Sequence, residues 1–123
     1  MKPAFLLPDM EARESGQGPA FDLGPASGRP LHLTLSITRT LEDESLDVSI
    51  FASSDGETWE ETPLLSFPKR SYCGNYSAML DLTKKPAIRF LRATWQMYRW
   101  NKSEPLFDFF IKAELVRAAS ATA

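Results

Sequence analysis

Leu31-His32-Leu33-Thr34-Leu35-Ser36-Ile37-Thr38 carries an apolar side chain at every second position. Side chains on an extended strand point alternately to its two faces. The octet is therefore a half-buried β-strand with Leu31, Leu33, Leu35 and Ile37 inward. Leu46-Asp47-Val48-Ser49-Ile50-Phe51-Ala52 repeats the pattern, with Leu46, Val48, Ile50 and Ala52 inward. The polar stretch Glu42-Asp43-Glu44-Ser45 lies between them, which predicts an antiparallel hairpin.

Working outward, Ser53-Ser54-Asp55-Gly56-Glu57-Thr58 is a tight turn in which Asp-Gly supplies a positive-φ position. Trp59 is expected to re-enter the core. Residues 63–67 form a short strand, placed at a sheet edge by Pro63. A loop over 68–75 leads into Tyr76-Ser77-Ala78-Met79-Leu80-Asp81-Leu82, which alternates again, and residues 83–86 turn the chain. Residues 87–97 form a long strand with a change of phase: Ile88 and Phe90 lie on one face, Leu91, Ala93, Trp95 and Met97 on the other. Either both faces are partly covered or a bulge near Phe90 resets the register. After a polar-aromatic loop over 98–105, the last strand turns Phe107, Phe109, Ile111, Ala113 and Leu115 inward. Upstream, a short strand over 4–7 precedes a glycine-rich loop over 9–19, and residues 24–30 form another loop. Residues 118–123 read as a frayed tail.

Seven or eight short strands at spacings of about ten residues, with no internal repeat and no helical pattern, make the fold all-β. The architecture expected is a two-sheet antiparallel β-sandwich. The 123 residues suit one domain, 1–123, with its core over about 20–117. With 43% hydrophobic and 24% charged residues the composition is that of a globular protein. A formal charge of −2 provides no general attraction to nucleic acid or to an anionic membrane surface. No stretch approaches the ~20 apolar residues of a membrane span. The four-residue apolar run before Pro8 is too short for the centre of a signal peptide. One cysteine, Cys73, points to a reducing compartment. The chain reads as cytoplasmic, with neither nucleic acid nor membrane as partner.

Three separated segments carry a family resemblance. Phe21-Asp22-Leu23-Gly24 opens the first sheet strand. Ser53-Ser54-Asp55-Gly56-Glu57-Thr58-Trp59 fits a Ser-x-Asp-Gly-x-x-Trp turn after a Val-x-Ile-x-Ala strand. Ala87-Ile88-Arg89-Phe90-Leu91-Arg92 and Lys112-Ala113-Glu114-Leu115 look like a closing pair of strands. In order and spacing they resemble the discoidin-like (coagulation factor type C) domains of the galactose-binding-like jelly-roll superfamily, over residues 21–116. The resemblance implies a fold and not an activity. The N-terminal segment of that family, which helps to build its ligand end, is largely missing, as is the terminal cysteine pair of secreted members. No calcium site and no ligand residue is carried over.

The residues offer little for catalysis. Nucleophilic chemistry needs a nucleophile, a base and an orienting group brought together. The one histidine, His32, sits on the polar face of the most regular strand and reads as a surface side chain. Without further histidines or cysteines there are too few ligands for zinc. Cys73 lies in a loop near Lys69 and Arg70, which reads as a chance loop cysteine rather than a redox centre. The acidic runs Glu42-Asp43-Glu44 and Glu60-Glu61 read as solvated faces. No enzyme activity, metal or cofactor is expected.

One constellation points to binding. If successive strands alternate in direction, loops 39–45, 68–75 and 98–105 emerge at one end of the sandwich, and turns 53–58 and 83–86 at the other. The first end then gathers Lys69, Arg70, Tyr72, Asn75, Tyr98, Arg99, Trp100, Asn101 and Lys102. Aromatic faces with amide and guanidinium groups hold sugars, and the same residue types hold protein partners. In the resembling family, ligands bind at the end carrying the loop equivalent to 39–45. The alternative use of Tyr98 and Trp100 is to cap the core. The function expected is therefore a non-catalytic binding module for carbohydrate or a protein partner. Its ligand residues would be Tyr72, Asn75, Tyr98, Arg99, Trp100 and Asn101. The alternative is a structural or assembly protein forming a homo-oligomer or part of a larger particle.

Overall fold

The computed structural model describes residues 4–41, 43–100 and 104–115. These residues form nine β-strands and one 3-10 turn, Gly24–Ala26, with no α-helix among them. The strands are β1 (Ala4–Ala12), β2 (Gly16–Gln17), β3 (Phe21–Asp22), β4 (Pro30–Thr40), β5 (Glu44–Ser53), β6 (Leu65–Ser66), β7 (Gly74–Asp81), β8 (Phe90–Arg99) and β9 (Phe107–Leu115). One sheet has the order β1-β9-β4-β7. The other runs β2-β8-β5-β6, with β3 following β2 along the same edge of β8. Every pairing is antiparallel, and the two sheets pack face to face as a β-sandwich.

The alternation of apolar residues places the core as expected. Leu31, Leu33, Leu35 and Ile37 of β4 face Leu46, Val48, Ile50 and Ala52 of β5 within one buried cluster that also takes in β8 and β9. Trp95 of β8 meets Phe109 of β9 edge to face across the two sheets, ring centroids 5.6 Å apart. Each fully buried leucine contributes roughly 1.5–3 kcal/mol relative to an exposed one.

The expected hairpin between these strands does not form. β4 pairs with β7 and β9, whereas β5 pairs with β6 and β8 in the opposite sheet. Alternation reports which face of a strand is buried and is silent about its neighbour. Two strands facing one another across the core satisfy it as well as two lying side by side. The three residues between β4 and β5 carry the chain from one sheet to the other.

Three further expectations need correction. Residues 9–19 are not a free loop, because β1 runs on to Ala12 and β2 occupies Gly16–Gln17. This segment crosses the side of the sandwich, from the edge of one sheet to the edge of the other. It lies so close to the core that a Cβ on Gly18 would sit 2.8 Å from Leu7 Cδ1, and one on Gly16 3.2 Å from Trp95. Glycine there lets the backbone pack directly on the Leu7 and Trp95 side chains, so the core begins at Leu6 and Leu7 rather than near residue 20. Trp59 stays outside the core cluster, half-buried, with the Arg92 guanidinium 4.3 Å above its ring. The change of phase near Phe90 marks the start of a strand and not a bulge. Ile88 is buried from the preceding turn, and β8 then keeps strict alternation through Leu91, Ala93 and Trp95.

β6 is an edge strand, as Pro63 suggests. The tail 118–123 lies outside the described residues. Among the described residues no helix is long and apolar enough to cross a membrane.

Candidate functional site

Crossing between sheets reverses strand direction just as a hairpin does. The expected gathering of loops therefore survives the correction. Thr40, Leu41, Asp43 and Glu44, then Ser71 and Tyr72, then Trp100 line one shallow cleft of about 390 Å³. Loops from three separate parts of the chain meet there.

Glu44 holds this end together. It is the first residue of β5 and only 1% exposed. One carboxylate oxygen accepts hydrogen bonds from the Thr40 hydroxyl (2.6 Å) and the Leu41 N–H (2.7 Å). The other accepts from the Leu106 N–H at 2.9 Å, sixty-two residues away. A buried carboxylate is tolerated when donors replace its water, and three do so here. Asp43 turns the chain with φ of 58°, a left-handed conformation that aspartate tolerates, and its carbonyl accepts the Trp100 N–H at 3.0 Å. The acidic run is thus no solvated face throughout: Asp43 is exposed and Glu44 is interior, while Glu42 lies outside the described residues.

The aromatic residues stand outward. Tyr98 is 63% exposed and Trp100 50%, their rings stacked with centroids 6.0 Å apart and planes 29° from parallel. They sit two residues apart at the end of β8, on the face turned away from the core. Tyr72, 78% exposed, also lines the cleft. Core capping, the alternative use for Tyr98 and Trp100, does not fit these exposures.

The polar residues of the expected site fare differently. Arg99 is half-buried and donates to the Glu104 carbonyl at 3.0 Å, so it ties the base of the loop rather than facing the cleft. Asn75 lies on β7, where its Oδ1 accepts the Ser36 hydroxyl at 2.7 Å on the outer face of the other sheet. Asn75 is not part of the cleft. Lys69 pairs with Asp47 (3.7 Å), and Arg70 lies over the Tyr76 ring (4.3 Å). Among the described residues the cleft is therefore aromatic and acidic rather than aromatic and basic. Asn101 and Lys102 lie outside the described residues. Leu41, Asp43, Ser71 and the clasp by Glu44 are absent from the expected set. For Glu44 the signal was present: it is in phase with Leu46, Val48 and Ile50, the inward series.

The opposite end has another carboxylate at its centre. Asp55 Oδ1 accepts the N–H groups of Glu57 and Thr58, both at 2.8 Å, and lies 3.0 Å from the Ser53 hydroxyl. The Thr58 and Glu57 N–H groups, then that hydroxyl, hold the Asp55 carboxyl below its ordinary pKa. A larger cleft of about 810 Å³ follows the β1–β2 crossing, where Arg13 bridges Glu11 and Glu104 and the Trp95 indole N–H donates to the Glu14 carbonyl. Arg13, Glu11, Glu104 and the Trp95 indole N–H are taken up in closing that side of the sandwich.

His32 meets Glu114 across β4 and β9, with Nδ1 3.7 Å from the carboxylate. Its other neighbour is Met79 of β7, six residues (roughly 20 Å of strand) from exposed Cys73. Among the described residues no group of three or more potential metal ligands occurs. No protein-family model matches the chain, and no curated protein matches it. The site is therefore read from its own residues.

Proposed function

We propose that this protein is a non-catalytic binding module that holds a carbohydrate at the loop end of its sandwich. The observation that carries this reading is the solvent-exposed Trp100 ring, stacked on Tyr98, in a cleft that Tyr72 and several polar groups also line. A sugar ring has an apolar C–H face, which rests on aromatic rings, and hydroxyls, which need acceptors and donors at its rim. Asp43, Ser71 and Thr40 supply those at this cleft. With Asp43 in the lining and no basic side chain among the described residues there, the preferred ligand is a neutral sugar rather than a sulfated or sialylated one.

The resemblance to discoidin-like domains supports the same end, since that family binds ligands beside the loop equivalent to 39–45. It also supports the finer fold assignment, a galactose-binding-like jelly-roll. The exposed thiol of Cys73 favours a reducing compartment, consistent with a cytoplasmic location.

A glycan array with neutral, sulfated and sialylated ligands tests the proposal. The wild-type protein should bind a neutral glycan, and Trp100→Ala should abolish that binding while leaving the melting transition in place. Binding that survives Trp100→Ala, or that selects only anionic glycans, overturns the assignment.

A further inference from the structure

We propose that β7 is a docking edge for a second copy of this chain, joining two four-stranded sheets into one eight-stranded sheet about a two-fold axis. The inference starts from how differently the free sheet edges are built. An unpaired strand edge invites another strand, and proteins blunt such edges with proline, bulges, charge or brevity. β1 contains Pro8, and its register with β9 shifts twice. β2, β3 and β6 are each two residues long.

β7 has none of these protections except a single charge, Asp81, at its last position. Its eight residues pair with β4 in one unbroken register from Gly74↔Ile37 to Asp81↔Pro30. It contains no proline and no lysine, and among the described residues nothing pairs with its other side. Its outward side chains include Met79, 61% exposed. Its inward residues Tyr76 and Ala78 are only half-buried, because the opposing sheet ends there in the two-residue β6.

The strand's own sequence specifies a second copy as occupant. Antiparallel self-pairing centred on Ala78 sets Ser77 against Met79, Tyr76 against Leu80 and Asn75 against Asp81 of the other copy. Asp81 is the one charge on the strand, and this register gives it an amide partner rather than another carboxylate. Opposed like charges are avoided, and on the inward face Tyr76 meets Leu80 as an aromatic–aliphatic cross-strand pair. A two-fold interface of this kind is self-complementary, so a single strand is enough to close it.

Light scattering coupled to size exclusion, over a range of concentrations, tests the proposal. The wild-type chain should show twice the single-chain mass and dissociate on dilution. S77K/M79K places lysine opposite lysine at two exposed positions, so it should remain a monomer with an unchanged melting transition. Amide exchange provides an independent readout: protection across residues 74–81 should rise with concentration in the wild type. A wild-type protein that is monomeric at every concentration overturns the proposal. So does a dimer that S77K/M79K leaves intact, concentration-independent exchange in β7, or protection of β7 only when a different protein is added.

Discussion

Each end of the sandwich is organised around a carboxylate that accepts backbone N–H groups, and the two work over very different distances. At the turn end, Asp55 gathers Ser53, Glu57 and Thr58, all within six residues of one another. It is open to water, and the motif completes itself locally. At the loop end, Glu44 is buried and joins Thr40 and Leu41 to Leu106. The local turn shapes one connection. The buried clasp fixes the relation between the crossover from β4 to β5 and the entry into β9, and so supports the floor of the cleft.

The largest effect should come from breaking the buried clasp. Glu44→Ala leaves the Leu41 and Leu106 N–H groups and the Thr40 hydroxyl without their acceptor. Three hydrogen bonds to a carboxylate are lost and the buried Leu106 N–H is left unsatisfied, so at about 1.5–3 kcal/mol for a hydrogen bond to a charged group the loss should reach about 3 kcal/mol or more in urea denaturation. An unchanged midpoint would mean that the clasp is dispensable and the two ends are equivalent.

At the turn end, Gly56 has φ of 82° and faces the Phe90 ring, 3.4 Å from where a Cβ would sit. Gly56→Val should cost about 1–3 kcal/mol, because a β-branched residue resists that conformation. Thermal melts of this variant beside Glu44→Ala rank the two ends directly.

A smaller, pH-dependent effect should come from Asp55. Its folded pKa is lowered, so its stabilising contribution is present above the ordinary carboxylate value and is lost as pH falls through the folded value. Asp55→Asn should therefore melt below the wild type at pH 7, and the gap should narrow towards pH 3. A gap independent of pH would assign the turn's stability to the shape of the side chain rather than its charge.

The smallest effect on stability should be at Trp100. Half exposed and stacked on Tyr98 outside the core, it should cost within ~0.5 kcal/mol when truncated to alanine. A tryptophan capping the core would cost ~3–5 kcal/mol on the same substitution, so a calorimetric melt separates the two roles.

Much of the site was legible, and what was missed has a physical pattern. Tyr72 and Trp100 meet at one cleft, with Tyr98 stacked on Trp100 beside it, because strand reversal alone decides at which end a loop emerges. Arg99 and Asn75 were misplaced because the direction of a polar side chain depends on partners distant in sequence. Arg99 is drawn to the Glu104 carbonyl and Asn75 to Ser36, and neither partner follows from composition or periodicity. Glu44 was readable in phase but was interpreted by its charge. Its inward position needed the donors at Leu41 and Leu106 to become plausible.

By itself the sequence determined the all-β class, the inward series on β4, β5, β8 and β9, the Asp55-Gly56 turn and the end at which the aromatic loops gather. All of these follow from the two-residue period of a strand, from backbone sterics, or from the reversal of direction at each connection. Only the tertiary structure decided that β4 and β5 lie in opposite sheets, that residues 12–18 close one side, and that Glu44 is an interior clasp. An apolar face can be buried equally well by a neighbour in its own sheet or by a strand across the core. Which partner a strand takes is settled by the packing and hydrogen-bond demands of the whole chain at once.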